Sequence, residues 1–451
     1  MKLKSSNTIA IHRFLIRSFL NDYECNFFDV IVLAISFFKF AHSTFKINSM
    51  KQSYIIDGVR TPFAKFKGAL STIRTDDLAA IPIKALVERH SNIPKDAYDD
   101  VIFGCANQAG EDNRNVARMA GLLAGLPWTV PGETINRLCS SGMSAIVQAN
   151  RAIKAGDGDL FISGGVEHMT RGPWVISKVS QAFGRDAQMH DSSFGWRFVN
   201  KRMHKLYGTD GMGVTAENLA EMYKLTRDEQ DQFAYWSQMK ATKARDNGRL
   251  AKEIVSVEIP QRKKSPIIFD TDEFIRDTTT LAVLGKLRTA FKKDGGTVTA
   301  GNASGLNDGA AAVLVASENA VKQYDLKPLA RIVSSAVVGV EPRIMGIGPV
   351  AAARKALKKA GLTLADMDIL ELNEAFSAQV LACARELGLA NDDPRINPNG
   401  GAIAIGHPLG VSGTRIMHTA ALELHEQNKR YALVAMCVGV GQGYATIIER
   451  V

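Results

Sequence analysis

The sequence predicts an α/β fold made of two duplicated halves, with a segment inserted into the first half. Short apolar runs typical of buried strands alternate with helical patterns, which favours layered α/β architecture. Similar segments also recur in the same order at offsets of 268 to 273 residues. Residues 168–300 interrupt the alternation and hold three of the four tryptophans. We therefore expect an N-terminal half over 50–325, a C-terminal half over 326–451, and an inserted lid or ligand-binding subdomain over 168–300. A purely structural insert is the alternative.

The composition is that of an ordinary globular protein. The 451 residues are 46% hydrophobic and 22% charged, which excludes collagen-like and disordered classes. Five cysteines are too few for a disulfide scaffold and favour a reducing compartment, so we expect a cytoplasmic protein. The net charge of +9 is mild and no Lys/Arg block occurs, so no nucleic-acid partner is predicted.

The first 49 residues differ from the rest of the chain, since they lack Gly and Pro and hold 8 of the 20 phenylalanines. The mostly apolar run 30–38 is too short to span a membrane, which takes about 20 residues. Asp22, Glu24 and Asp29 lie just before this run, and no small-residue cleavage site follows it, so a secretory signal fits poorly. We expect a non-domain extension, either an upstream segment preceding a true start at Met50 or an organelle-targeting peptide.

Helix-ending and helix-starting signals support the predicted elements. A helix predicted over 144–154 stops at Gly156, and glycine is favoured just after a helix C-terminus. In the inserted segment, Thr226 and Glu229 form a capping box that opens a helix extending to residue 247.

The repeat places two polar turns at equivalent positions. The turn Cys139-Ser-Ser-Gly142 lies over His407-Pro-Leu-Gly410 at an offset of 268 residues. Duplicated α/β halves would stack their helices between two sheets, with equivalent loops facing one another. We therefore expect the Cys139 and His407 turns to meet although they are distant in sequence.

Cys139 begins a predicted helix, where free amide N–H groups and a partial positive charge favour a thiolate. His407 is held between Gly406 and Pro408 on a rigid turn, as suits a base that takes a thiol proton. The alternatives are a buried cysteine that only packs and a histidine that only bonds to backbone.

Cys437 ends a predicted buried strand and enters a glycine-rich loop. A second thiol near the first suits proton exchange at carbon, and the Gly439 amide is a candidate oxyanion donor. Asn373 follows another buried strand, where an amide side chain can hold a water, although a helix N-cap is the simpler interpretation. No spacing of ligands typical of a metal site occurs, so no metal is predicted.

Six motifs, in order, resemble those of the thiolase family. They are Cys139-Ser-Ser-Gly142, Gly164-Gly-Val-Glu167, Gly301-Asn-Ala-Ser-Gly305, Asn373-Glu-Ala-Phe376, Gly406-His-Pro408 and Cys437-Val-Gly-Val-Gly-Gln-Gly443. The resemblance runs from about Met50 to Val451. It implies the five-layered αβαβα thiolase fold, an inserted loop domain that binds coenzyme A, and a homodimer or homotetramer. Coenzyme A would be a co-substrate, with no tightly bound cofactor.

The resemblance also implies roles for individual residues. Cys139 is similar to the acylated nucleophile, His407 to its activating base, and Cys437 to the acid/base at the α-carbon. Asn373 (through water) and His407 would form one oxyanion hole, and the amides of Cys139 and Gly439 the other. Three further positions match contacts to substrate: Ser304 a pantetheine contact, and Met345 and Phe376 pocket walls.

The implied reaction is reversible, coenzyme-A-dependent cleavage of a 3-oxoacyl-CoA through an acyl-cysteine. Residues 104–119 and 194–198 look most like the 3-oxoadipyl-CoA thiolases, which form succinyl-CoA and acetyl-CoA. His168 departs from the pattern of that subgroup, and Trp174 from the pattern of acetoacetyl-CoA thiolases. A fatty-acid 3-ketoacyl-CoA thiolase and an acetoacetyl-CoA thiolase are therefore alternatives. A non-catalytic acyl-CoA-binding protein is the alternative from another class. Candidate partners for a substrate carboxylate include Arg114, Arg171 and Arg197.

Overall fold

A computed structural model describes residues 51–451, so the predicted extension over 1–49 lies outside the described residues. The strands, in chain order, are β1 (Ser53–Arg60), β2 (Ala64–Lys65), β3 (Asp100–Gly104), β4 (Gly132–Ile135), β5 (Leu160–His168), β6 (Trp174–Ile176), β7 (Met189–Asp191), β8 (Val257–Gln261), β9 (Lys264–Phe269), β10 (Asn307–Ser317), β11 (Ala330–Gly339), β12 (Ile369–Leu372), β13 (Tyr431–Val438) and β14 (Gln442–Arg450).

The α-helices, in chain order, are α1 (Thr75–Arg89), α2 (Val116–Leu123), α3 (Ser141–Ala155), α4 (Lys201–Tyr207), α5 (Met212–Met222), α6 (Arg227–Asp246), α7 (Leu281–Gly285), α8 (Glu318–Gln323), α9 (Gly348–Ala360), α10 (Ser377–Leu387), α11 (Ala402–Ile405) and α12 (Leu409–Glu426). The predicted local signals are confirmed. Thr226 caps α6 through a complete capping box, and Gly156 ends α3 with a left-handed φ of 88°.

The main sheet shows the duplication in its topology. Its strand order is β12-β13-β14-β11-β1-β10-β5-β3-β4, with the short β2 beside β10. In the first half β3 pairs parallel with β5, which is followed by antiparallel β10 and β1. In the second half β12 pairs parallel with β13, followed by antiparallel β14 and β11. The two halves therefore share one pairing pattern, as the repeat predicts.

The expectation of two separate sheets is wrong in one respect. Strands β1 and β11, the edges of the two half-sheets, pair antiparallel through Tyr54 with Arg331 and Ile55 with Ala330. Because an unpaired strand edge exposes backbone donors and acceptors, this short pairing satisfies part of both edges. The result is one continuous sheet that carries both halves.

Three large buried cores join the neighbouring layers of the fold. Strands β5, β10 and β12 are buried at every residue, as expected for strands covered by helices on both faces. One outer core joins α1 and α2 to the first half-sheet, and the other joins α9 and α10 to the second. The middle core contains α3, α12 and the inner faces of both half-sheets. The order is therefore helix, sheet, helix, sheet, helix, which confirms the αβαβα architecture.

The two central helices approach closely at their N-terminal ends because small residues lie between them. A β-carbon at Gly142 of α3 would lie 2.7 Å from the Gly410 carbonyl oxygen of α12. A β-carbon at Gly413 would lie 2.7 Å from Met143 Cβ and overlap the Met143 backbone nitrogen. Glycine is costly inside a helix, so its presence here reflects the close contact.

The inserted segment lies between β5 and β10 of the first half. In the second half the equivalent strands, β13 and β14, are joined by the three residues 439–441. The insertion contains α4, α5, α6 and α7 and two small hairpins, β6–β7 and β8–β9. Within residues 51–451, no helix combines the length and apolar character that a membrane crossing requires.

We predict that Gly413→Ala destabilises the fold although alanine favours helices. The added methyl group would overpack the contact with Met143, at a cost of about 1–3 kcal/mol in the free energy of unfolding. Gly285→Ala is the matched control, because nothing lies within 4 Å of its added β-carbon. Chemical unfolding of both variants measures the difference, and equal stabilities would contradict the close helix contact.

Candidate active site

The predicted Cys139 and His407 turns lie at the N-terminal ends of the two central helices. Cys139 is in the 3₁₀ turn Leu138–Ser140 that leads into α3, and His407 lies two residues before α12. Gly406 has a φ of 117°, and its missing side chain makes room for Asn307, whose Oδ1 accepts a hydrogen bond from the His407 amide at 3.0 Å. The duplication and the helix contact thus bring the two turns to the same end of the central layer.

The Cys437 turn completes this cluster. Cys437 is fully buried near the end of β13, and burial followed by the nearby Cys139 raises the pKa of its thiol well above the ordinary value. Two residues later, the Gly439 backbone lies close enough to the Cys139 thiol to oppose the rise in its pKa. The strand end therefore sets a second thiol and a backbone donor beside Cys139.

Hydrogen bonds fix the tautomer of His407. Its Nδ1 lies 2.6 Å from Ser412 Oγ, and that hydroxyl donates to the Pro408 carbonyl oxygen at 2.9 Å. Since the Ser412 proton is used on Pro408, His407 Nδ1 must carry a hydrogen and donate to Ser412. Nε2 is therefore the free acceptor, and it faces Asn373 Nδ2 at 3.4 Å. Burial, and then the charge of Arg415, lower the pKa of His407 to about 3, which keeps the ring a neutral base.

The resting state of Cys139 differs from the sequence expectation. Burial raises the pKa of its thiol to about 11, although the backbone amides of Gly439 and Cys139 oppose this shift. The prediction that a helix N-terminus would favour a thiolate is thus wrong for the resting protein, because loss of hydration outweighs the amide groups. Cys139 is therefore a neutral thiol and His407 a neutral base in the resting protein.

The remaining predicted residues line the same region. Met345, Phe376 and Cys437 belong to one buried apolar cluster. The Ser304 amide and hydroxyl both donate to the Ala375 carbonyl oxygen, at 3.0 and 3.1 Å, which ties the Ser304 loop to the Asn373–Phe376 motif. Asn373 is 1% exposed and its Oδ1 has no hydrogen-bond partner within the described residues.

Two family models together match nearly all of the residues that the structure describes. The thiolase N-terminal domain matches residues 53–319, and the thiolase C-terminal domain matches residues 326–450. The chain belongs to the thiolase family.

Relatives and solved structures agree with this assignment. The chain is 58% identical to a beta-ketoadipyl-CoA thiolase of Acinetobacter baylyi and 56% identical to a 3-oxoadipyl-CoA/3-oxo-5,6-dehydrosuberyl-CoA thiolase of Escherichia coli. Each match covers 89% of this chain and 100% of the relative. Among solved structures, Bacillus anthracis acetyl-CoA acetyltransferase superposes with a TM-score of 0.83 at 40% identity, over 90% of this chain and 100% of that one. Human mitochondrial 3-ketoacyl-CoA thiolase gives 0.82 at 41% identity, over 89% and 99%.

Glu167 supports this thiolase site in a way that the sequence analysis missed. Its carboxylate accepts hydrogen bonds from the amides of Ala106 and Asn107, both at 2.9 Å, and of Gly410 at 2.8 Å. It thereby joins the loop after β3 to the N-terminal turn of α12, where a negative charge is favourable. Burial raises its pKa to about 7. The only feature of the sequence that pointed to Glu167 was its place in the Gly164–Glu167 motif.

Ser412 is the second residue that the sequence did not reveal. Glu374 is a third: it belongs to the Asn373–Phe376 motif, but the sequence did not identify its partners. The Glu374 carboxylate accepts from Ser237 Oγ at 2.6 Å, Asn397 Nδ2 at 2.7 Å and the Ile403 amide at 3.2 Å. It therefore holds the segment that leads into the His407 turn.

Two other buried cysteines are not among the predicted site residues. The Cys105 and Cys383 thiols donate to the carbonyl oxygens of Asn107 and Gly346, which fits structural roles. Across residues 51–451, no group of three His, Cys, Asp or Glu side chains is arranged to hold a metal ion.

Two of the three arginines named for a substrate carboxylate are engaged in hydrogen bonds. Arg171 donates to the Glu111 carboxylate through Nε at 2.7 Å and through Nη2 at 2.5 Å. Arg197 Nη1 donates to the Ser192 carbonyl oxygen at 3.1 Å. Arg114 is exposed.

We predict that Ser412→Ala lowers the kcat of thiolytic turnover roughly tenfold to hundredfold, a part of what a positioned base contributes. Without the Ser412 acceptor, His407 no longer has one favoured tautomer, whereas substrate binding is untouched. Steady-state kinetics should therefore show a lower kcat at an unchanged KM. Ser377→Ala is the matched control, because Ser377 is equally buried and its hydroxyl has no partner within the described residues. Equal kcat values for the two variants would contradict the tautomer assignment.

Proposed function

We propose that this thiolase cleaves 3-oxoadipyl-CoA with coenzyme A to give succinyl-CoA and acetyl-CoA, through an acyl group on Cys139. The observation that supports the proposal is that the turns of Cys139 and of the neutral His407 precede the two central helices, which are in contact, while the Cys437 thiol is close to Cys139. The relatives that are 56–58% identical, named as thiolases of beta-ketoadipyl-CoA or 3-oxoadipyl-CoA, support the substrate.

In the first half-reaction, His407 Nε2 takes the proton of Cys139 as the sulfur attacks the 3-keto carbon. The tetrahedral adduct collapses, the bond between carbons 2 and 3 breaks, and its electron pair leaves on the acetyl-CoA enolate. Cys437 donates its proton to the α-carbon and becomes a thiolate. This covalent route divides one difficult carbon–carbon cleavage into two easier steps.

In the second half-reaction, the Cys437 thiolate takes the proton of an incoming coenzyme A. The coenzyme A sulfur attacks the succinyl thioester on Cys139, and succinyl-CoA leaves. The Cys139 sulfur recovers its proton from His407, so both thiols and the imidazole return to their resting forms.

Developing negative charge on oxygen would be held at two places. The amides of Cys139 and Gly439, both of which favour negative charge at the Cys139 sulfur, suit the tetrahedral adduct on that sulfur. His407 and a water held by Asn373, whose Oδ1 lacks a protein partner among the described residues, suit the enolate oxygen. Each would contribute about 3 kcal/mol, judged from the loss of one such donor in other enzymes.

Substrate and product would bind without a tightly bound cofactor. We assign the pantetheine contact to Ser304, the acyl pocket walls to Met345 and Phe376, and coenzyme A binding to the inserted segment. The structural similarity to a 3-ketoacyl-CoA thiolase and an acetyl-CoA acetyltransferase, at 40–41% identity, favours fatty-acyl or acetoacetyl substrates as the second candidate.

We also propose a homodimer, or a homotetramer built from it, with β4 at the contact. This strand is the terminal strand of the main sheet, and Trp128 just before it is 80% exposed. An exposed sheet edge beside a large apolar side chain favours pairing with a second copy. A monomeric mass in light scattering would contradict this. The cytoplasmic location stays a prediction, and the four described cysteines, all free thiols, are compatible with it.

We predict that 3-oxoadipyl-CoA leaves a succinyl group on Cys139. Intact mass spectrometry of the mixed protein should show this mass increase in the wild type and none in Cys139→Ala. Cys105→Ala is the matched control, because it removes another buried thiol that the mechanism does not use.

The same assay separates the alternatives. Succinylation that persists in Cys139→Ala would contradict the assignment of the nucleophile. Acylation only by acetoacetyl-CoA or unsubstituted 3-oxoacyl-CoA would favour the second candidate. Binding of acyl-CoA with no adduct on any residue would indicate a non-catalytic protein.

A further inference from the structure

A narrow cleft opens beside the Gly439 turn. Val440, which follows Gly439 in the chain, and Met212 of α5 are two of its lining residues. The Met212 sulfur lies only 3.8 Å from the position that a β-carbon on Gly439 would take. The cleft is therefore adjacent to Gly439, whose backbone interacts with the Cys139 thiol.

The inserted segment and the C-terminal half both contribute to this cleft. Trp196 and Tyr207 come from the insertion, and Pro342 and Arg343 from the 3₁₀ turn Pro342–Ile347. Met345, three residues beyond Pro342 in the same turn, is buried in the apolar cluster that contains Cys437. One turn thus supplies both a wall of the proposed acyl pocket and a cationic side chain at the neighbouring cleft.

Arg343 is oriented by polar contacts within the cleft. Its Nε donates to Asp210 Oδ2 at 2.8 Å. Asn218 Nδ2 donates to the same oxygen at 3.2 Å and to the Arg343 carbonyl oxygen at 2.9 Å. The two terminal nitrogens of the guanidinium make no hydrogen bond to any residue in the part of the chain that the structure describes. A carboxylate can therefore be received on the side of the guanidinium away from Asp210.

The proposed substrate requires such a group close to Cys139. The acyl portion that remains on the sulfur ends in a carboxylate two methylene groups beyond the acyl carbon, within about 4 Å of it at normal bond lengths. A carboxylate brought this close to a buried site is favourable only with a cationic or hydrogen-bonding partner. A neutral apolar pocket would reject it.

We propose that Arg343, oriented by Asp210, binds the terminal carboxylate of the acyl chain and makes the enzyme selective for dicarboxylic 3-oxoacyl-CoA substrates. The inference rests on the proposed function and deepens it. Arg343 lines the cleft beside Gly439 and uses only Nε on Asp210, whereas Nε and both terminal nitrogens of Arg171 are bound to Glu111 and the Ser71 carbonyl oxygen. Arg343 would be a specificity residue and would take no part in the bond-breaking chemistry.

The phosphate groups of coenzyme A are a second source of anionic oxygen that a free guanidinium could bind. The two sources differ in one testable respect. A phosphate contact would affect every coenzyme A substrate alike, whereas a carboxylate contact would affect only substrates that carry a terminal carboxylate.

The test compares 3-oxoadipyl-CoA with 3-oxohexanoyl-CoA, which has the same chain length but ends in a methyl group. Arg343→Met should lower kcat/KM for 3-oxoadipyl-CoA roughly tenfold to hundredfold, the effect of losing a charge-assisted hydrogen-bonded pair. For 3-oxohexanoyl-CoA it should change kcat/KM by less than about threefold, since an apolar end group loses no polar partner. Arg343→Lys should recover part of the loss, because it keeps the charge without the two parallel donors.

Arg354→Met is the matched control. Arg354 is also exposed, at 60% against 54% for Arg343, and it too is paired with one carboxylate, that of Glu386. It lies on α9 and is not among the residues that line the cleft. The control variant should turn over both substrates at the wild-type rate.

Three results would overturn the inference. Equal losses on both substrates would assign Arg343 to coenzyme A or to the shape of the cleft. An undiminished preference for 3-oxoadipyl-CoA in Arg343→Met would show that another group reads the carboxylate. A wild-type enzyme that itself lacks this preference would remove the proposed substrate as well, and the wild-type measurement alone identifies that case.

Discussion

The close contact between α3 and α12 is the constraint on which the site depends. Glycines at 142 and 413 let the N-terminal ends of the two helices approach, and the two turns that precede them carry Cys139 and His407. These turns occupy equivalent places in the two halves, so duplication alone gives two similar turns facing one another. Their divergence then gives a nucleophile on one side and a base on the other.

Burial shifts the pKa values of Cys139 and His407 in opposite directions, and the two shifts together determine the protonation states of the resting site. Loss of hydration raises the pKa of Cys139 to about 11 and lowers that of His407 to about 3. Both groups are therefore uncharged in the free protein across the physiological range. An ion pair between them becomes favourable only as the sulfur bonds to carbon, which links proton transfer to the attack on substrate. A permanently charged thiolate in this buried site would be more costly to maintain.

The sequence predicted those features that depend on spacing. The repeat predicted that the Cys139 and His407 turns lie at equivalent places, and each does precede one of the two contacting central helices. The capping box of α6 and the C-terminal glycine of α3 were also correctly located. It did not predict Ser412, Glu167 or Arg343, because each acts through a partner made available only by folding. Ser412 is five residues from His407 but needs the turn to reach Nδ1, and Glu167 reaches Gly410 across 243 residues. The pairing of β1 with β11 was missed for the same reason.

Buried ion pairs attach the inserted segment to both halves of the fold. Arg249, three residues after the end of α6, pairs with Glu423 of α12 at 2.9 Å and with Glu253 at 2.7 Å. Glu253 in turn pairs with Arg60 of β1, which also binds Asp272. Removing one partner from such a set leaves an uncompensated buried charge and typically costs about 3–5 kcal/mol, so rotation of the segment would be strongly resisted. The inserted segment supplies Met212 and Asp210 to the cleft beside Gly439. Because the segment is rigidly attached, an insertion in the first half can influence specificity at Cys139 and Cys437, which come from different halves.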